Sequence, residues 1–269
     1  MRKIAVFLTL FLFVAVASAW AQQSNDFTLP DKARKVSENV YYLGKGRDPQ
    51  TNLDVEGYAI VHRGRGYDAK PDHAGGPGGG GTSSCYGFLA NGAKWKIVEP
   101  WIMNPANSSS LDSPTLFNIM DAAVTQWESA ASYNILGDGS TTANILIAET
   151  SGSPDGSNEV YFAGISDSNA IAVTIVWGIF GGPPRQRQLV EWDMIFDDVD
   201  YNWSAEANGV AGKMDFDNIA THELGHSVGL NDLYEPTCFE QTMYGYADYG
   251  DTNKRTLESG DIAGIQALY

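Results

Sequence analysis

Apolar residues recur at helical spacing in three stretches of the chain, and crowd together at strand-like density in seven others. In 112–131 (DSPTLFNIMDAAVTQWESAA), Leu116, Ile119, Met120, Ala123 and Trp127 share one face, and Pro114 suits a first helical turn. A second helix is predicted from near Asp217, and a short amphipathic one in 259–269, marked by Ile262, Ile265 and Leu268. The runs 39–44, 55–62, 94–103, 143–149 (ANILIAE), 159–165, 170–180 (AIAVTIVWGIF) and 189–196 are rich in β-branched and aromatic residues and predict strands. Polar, turn-rich sequence from Gln22 to Ser84 ends in GGPGGGG (75–81), a linker by composition, so a domain boundary is expected near 75–84. Beyond it the order is strand, helix, several strands, helix, loop, helix, with no internal repeat.

The first 21 residues change where this chain is expected to work. Arg2 and Lys3 precede an apolar run from Ile4 to Ala17, and small residues follow at Ala17, Ala19 and Ala21. That is the pattern of a secretory signal peptide, and the run is short for a membrane span. The division is then 1–21 signal peptide, 22–84 propeptide, and 85–269 catalytic-sized domain, secreted to the extracellular space and expected as a monomer. The net charge of −16 argues against nucleic acid or an anionic membrane as partner and is compatible with bound cations. Two cysteines, Cys85 and Cys238, suggest a disulfide in an exported protein, with Cys85 as a metal-blocking thiolate the alternative.

The candidate chemistry lies in 221–232, THELGHSVGLND. Residues four apart share a helix face, so His222 and His226 can turn two imidazoles to one metal ion. Glu223, beside that face, can take a proton from a zinc-acidified water without being a ligand. Gly229 sits where a helix end often needs a left-handed residue, and a turn there can return Asp232 to complete a His, His, Asp set suited to zinc.

HELGHSVGLND resembles the extended zinc signature of the metzincin metallopeptidases, with Asp232 where most members have a third His, as in the snapalysin type. QTMYGY (241–246) is similar to the family's Met-turn, which implies that Met243 underlies the metal; GDIAGIQALY (260–269), ANILIAE and WDMIFDD (192–198) are similar to matrixin segments in the expected order. The resemblance covers roughly 85–269. It implies an α+β catalytic domain: a twisted mixed sheet, mostly parallel, with helices and a small lower subdomain at the Met-turn. It also implies a zinc-dependent endopeptidase made as a zymogen, acting on a protein or peptide substrate that adds as a strand to the sheet edge, for which 170–180 is the candidate.

Several signals stay open. The propeptide cysteine motif of matrixins is absent; with Cys85 and Cys238 paired, latency has to come from elsewhere in 22–84, with Asp72 and His73 as candidate blockers. Asp197, Asp198 and Asp200 resemble an acidic run that binds calcium, out of register. The histidines needed for a second, structural zinc are lacking. Tyr244 and Tyr246 flank the Met-turn and are candidates to assist an oxyanion. Alternative third ligands are Glu235, Glu240 and Glu258, and the alternative function is a secreted, cation-stabilised binding module that retains the fold.

Overall fold

The computed structural model describes residues 26–65, 85–150 and 152–269. The proposed signal peptide, Asp72, His73 and the glycine-rich run lie outside the described residues. Eight strands form the main path of one mixed sheet: β1 (Arg34–Ser37), β2 (Val40–Arg47), β3 (Asp54–Gly64), β4 (Trp101–Asn104), β5 (Gly139–Thr141), β6 (Asn158–Ala163), β7 (Ala170–Ile179) and β8 (Gln188–Asp197), in the order β1-β2-β3-β7-β8-β6-β4-β5. Strands β5, β4, β6 and β8 run parallel, whereas β7 is antiparallel to β8 and β3 antiparallel to β7. Two short strands, β9 (Trp203–Ser204) and β10 (Met214–Asp215), pair with each other, and β11 (Tyr246–Ala247) pairs parallel with β3.

Strands β6, β7 and β8 are buried almost end to end, which is why their sequences read as continuous apolar runs rather than alternating ones. Three helices share one side of the sheet's core: α1 (Ser113–Ala131), α2 (Phe216–Ser227) and α3 (Ser259–Leu268). Asp112 caps α1 by accepting from the Thr115 N–H, and Ser132 closes it in a left-handed conformation. Its buried stripe is Leu116, Met120, Ala123, Val124 and Trp127. The Trp127 indole donates to the Thr221 carbonyl at 2.9 Å, fastening α1 to α2. A second apolar cluster on the opposite side gathers Phe27, Leu43, Val55, Ala59 and Val61 with Leu146, Ala148 and Ile175. No helix among the described residues is long and apolar enough to cross a membrane.

The structure departs from the sequence expectations in three places. ANILIAE is not a strand: Leu146 and Ala148 are buried while Ile145 and Ile147 are exposed, but two of its N–H groups go to side chains, Ile147 to Glu159 and Ala148 to Tyr161. Alternating burial reports an extended chain lying on a sheet, not a hydrogen-bonded neighbour. The run 94–103 narrows to β4, because its first residues leave the sheet and spend their groups elsewhere, the Trp95 indole on the Ser227 carbonyl. Strand β7 is not the expected edge: β3 pairs with it antiparallel from Glu56 to Arg63. The N-terminal residues 26–65 and the later part therefore share one sheet.

Candidate metal centre

Helix α2 is buried on nearly all sides, from Phe216 and from Asn218 to Ser227. Its polar side chains must therefore find partners inside the protein. Asp215 caps it by accepting from the Asn218 N–H at 2.9 Å. Gly229 follows with φ +107°, and the Leu230 N–H returns to the Gly225 carbonyl at 2.9 Å. That turn carries the chain back so that Asp232 faces the helix it has just left.

His222 and His226 are fully buried, and the Asp232 side chain is 1 % exposed. Asp232 Oδ1 lies 3.2 Å from His222 Nε2 and 3.5 Å from His226 Nε2. Ligand atoms bound tetrahedrally to zinc at about 2.0–2.1 Å stand about 3.3 Å apart. All three atoms are buried without a hydrogen-bond partner. The outward atoms of the same side chains are held: His222 Nδ1 meets the Thr242 carbonyl at 2.6 Å, His226 Nδ1 meets the Leu230 carbonyl at 3.0 Å, and the Tyr234 hydroxyl donates to Asp232 Oδ2 at 2.9 Å. An imidazole that donates from Nδ1 to a carbonyl turns the Nε2 lone pair inward, the arrangement of a metal ligand with its outer partner in place. The set thus fits a divalent zinc ion. Glu235 and Glu240 are exposed, and Glu258 is the exposed cap of α3, so none of the three joins this buried group.

Glu223 is also fully buried. One carboxylate oxygen accepts from the Thr174 hydroxyl of β7, and the other has no hydrogen-bond partner. Burial raises its carboxyl to about 7, opposed first by His226. A dication alongside would pull it back down. Met243 lies directly beneath the helix. A Cβ on Gly225 would sit 2.1 Å from the Met243 sulfur, so only glycine at 225 lets the two segments meet.

The sequence reading missed the groups that hold these. Asp261 in α3 accepts from the N–H groups of Thr242 and Met243, at 2.8 and 3.1 Å, fixing the turn that supplies the His222 carbonyl. It also accepts from the Glu258 N–H, and an acid three residues after a helix cap is a readable signal. Lys254, buried, donates to the Tyr244 carbonyl and lies 3.3 Å from His222 Nδ1. Most distant in sequence is His62, whose ring centroid is 4.1 Å from that of His222. The ligand atoms of His62, His222 and Asp232 all lie within 4.8 Å of one another.

The remaining candidates fall as follows. Cys85 and Cys238 are joined in a disulfide with Cα atoms 5.4 Å apart, which removes Cys85 as a free thiolate. Asp197 Oδ1 accepts from the Val199 and Asp200 N–H groups of its own turn, and Asp198 accepts from the N–H and hydroxyl of Ser108 in the loop after β4, so these oxygens are already engaged. Tyr244 and Tyr246 pack edge-on with ring centroids 5.9 Å apart.

The matrixin family model matches residues 100–269, more than half the chain. Stromelysin-1 of Equus caballus is 40% identical over 78 residues, covering 29% of this chain and 15% of that protein. Matrilysin of Homo sapiens is 38% identical over 72 residues, 27% of this chain and 25% of that protein. Macrophage metalloelastase of Oryctolagus cuniculus is 43% identical over 51 residues, 19% of this chain and 10% of that protein. The matches thus span a quarter or less of these relatives' lengths. With the sheet, the three helices and the converging imidazoles already in place, the family match settles the fold's kinship: the chain belongs to the matrixin family.

Proposed function

We propose that this protein is a secreted zinc endopeptidase made as a zymogen, with His222, His226 and Asp232 as zinc ligands and Glu223 as general base. The observation that carries the reading is a set of three orphaned, buried ligand atoms, with Asp232 Oδ1 at 3.2 and 3.5 Å from the two imidazole nitrogens, separations that suit ligands of one ion. Bound there, zinc supplies the Lewis acidity that polarises a peptide carbonyl and acidifies water. Glu223 takes the proton from the attacking water on its free oxygen and later gives it to the leaving amine. Thr174 holds the other oxygen, so the carboxylate keeps one orientation through both transfers. Once β3 is removed, the backbone of β7 would offer hydrogen bonds to an extended peptide. A binding module retaining the fold would have no use for a buried acid with one oxygen left unpaired.

Zinc content and casein hydrolysis, measured on processed protein with and without chelator, test the reading. Glu223→Ala should keep its zinc and lose about a hundredfold to ten-thousandfold in rate. Zinc loss in that variant, or chelator-insensitive hydrolysis, would overturn the assignment.

A further inference from the structure

Residues 26–65 do more than precede the catalytic part. Strand β3 lies between β2 and β7, antiparallel to both, and its last residues, Arg63 and Gly64, pair parallel with β11. The register pairs Ile60 with Thr174 and His62 with Ala172, which places the His62 and Thr174 side chains on the same face of the sheet. That is the face carrying Glu223. His62 Nδ1 stands 3.5 Å from Glu223 Oε1, and its ligand atom lies within 4.8 Å of those of both His222 and Asp232. The ring is 1 % exposed, and neither of its nitrogens has a hydrogen-bond partner. A buried imidazole with both nitrogens unpaired costs free energy, and a metal ion would resolve it.

The same segment also reaches the other side of the ligand set. Arg63 donates to Asn39 at 2.6 Å, Asn39 donates to the Tyr234 hydroxyl at 3.0 Å, and Tyr234 donates to Asp232. The strand that delivers His62 is thereby locked to the carboxylate that completes the site.

From this geometry we infer that His62 is a fourth protein ligand to the zinc while β3 is paired to β7, and that it closes the position a catalytic zinc otherwise keeps open. The inference rests on the zinc peptidase reading and supplies its latency: one strand fills the peptide groove and one imidazole fills the metal. Neither Asp72, His73 nor Cys85 is needed for it.

The test uses the full secreted chain with cobalt(II) in place of zinc, so that the visible spectrum reports the ligand set. His62→Ala should bind cobalt with an altered spectrum and lose it to a chelator about tenfold faster or more, since even an outer-shell partner is worth that much. His62→Cys should gain a thiolate-to-cobalt charge-transfer band, a signal that arises only if residue 62 touches the metal. Spectra of wild type and His62→Ala that superimpose would overturn the inference and leave the peptidase reading standing, as would a cobalt-loaded His62→Cys without the new band. A wild-type chain that takes up no cobalt or zinc would overturn both.

Discussion

Two clusters of ionisable side chains are buried in this fold, and they settle their charge differently. Around α2, two imidazoles and a carboxylate turn lone pairs to a common point, each held from behind by a carbonyl or a hydroxyl. In the sheet, Glu159 of β6 and Glu191 and Asp193 of β8 bring three acids together with no imidazole among them. Burial, reinforced by the neighbouring acids, raises Glu159 to about 7, Glu191 to about 8, and Asp193 well above the usual carboxylate range. The first cluster mixes bases with an acid and keeps its ligand atoms unpaired, so it suits a cation. The second holds acids alone, two of which accept the backbone N–H groups of Gly156 and Glu159, and burial favours their protonated forms. Burial alone does not mark a zinc site; the nitrogen donors and their outward anchors do.

The comparison breaks most visibly at Asp232. Asp232→Ala should lower zinc affinity by more than about a hundredfold, beyond the range for outer partners, whereas Asp232→His should keep the ion. Metal content by atomic absorption checks this, and an alanine variant with full zinc would remove Asp232 from the ligand set. Next in size, Tyr234→Phe deletes the hydroxyl that fixes Asp232 Oδ2 and should cost about ten- to a hundredfold in affinity without changing stoichiometry. Competition with a fluorescent chelator reads it, and unchanged affinity would show that Tyr234 only packs there.

The smallest effect separates the two clusters by sign. Burial favours the protonated forms of Glu159 and Glu191, raised to about 7 and about 8, while the unfolded chain releases these protons near the ordinary carboxyl value of 4.5. Between these values the native state binds more protons, so this contribution to stability falls as pH rises and is gone above about 8. The metal cluster responds oppositely, because acid protonates its ligands and releases the ion. Replacing Glu191 by Gln should flatten the downward slope between pH 5 and 8. The melting-temperature difference between wild type and variant should change by several degrees across that range, with about 1 kcal/mol moving Tm by about 2–4 °C at this size. A difference independent of pH would show that the trio is ionised in the fold.

The later half of the chain was largely legible because its signals are local. Helical spacing marked α1, the Gly229 turn and the four-residue separation of the histidines pointed to one face, and the structure gathers His222, Glu223, His226 and Asp232 there, with Met243 below. The cysteine pair was readable by count and compartment. The N-terminal segment was not, although two of its three strands were. A period of two says that a strand has two faces but not which strand it lies beside, so the pairing of β3 with β7 across more than a hundred residues leaves no local trace. His62 shares no spacing with the other ligands, and a lone histidine in an apolar strand reads as core. Tyr234 and Lys254 likewise act through contacts that only the closed fold creates.

The position of β3 also bears on solubility. Ala170 to Trp177 is buried residue after residue, and β3 supplies the hydrogen bonds along its outer side. Remove residues 26–65 and β7 becomes a long, uncharged sheet edge, the kind that pairs with whatever strand arrives first. Such an edge suits a peptidase, whose next partner is meant to be an extended substrate, but in the absence of substrate its next partner is another copy of itself. On the proposed zymogen reading, the strand paired to β7 also guards that edge against self-association until it is removed.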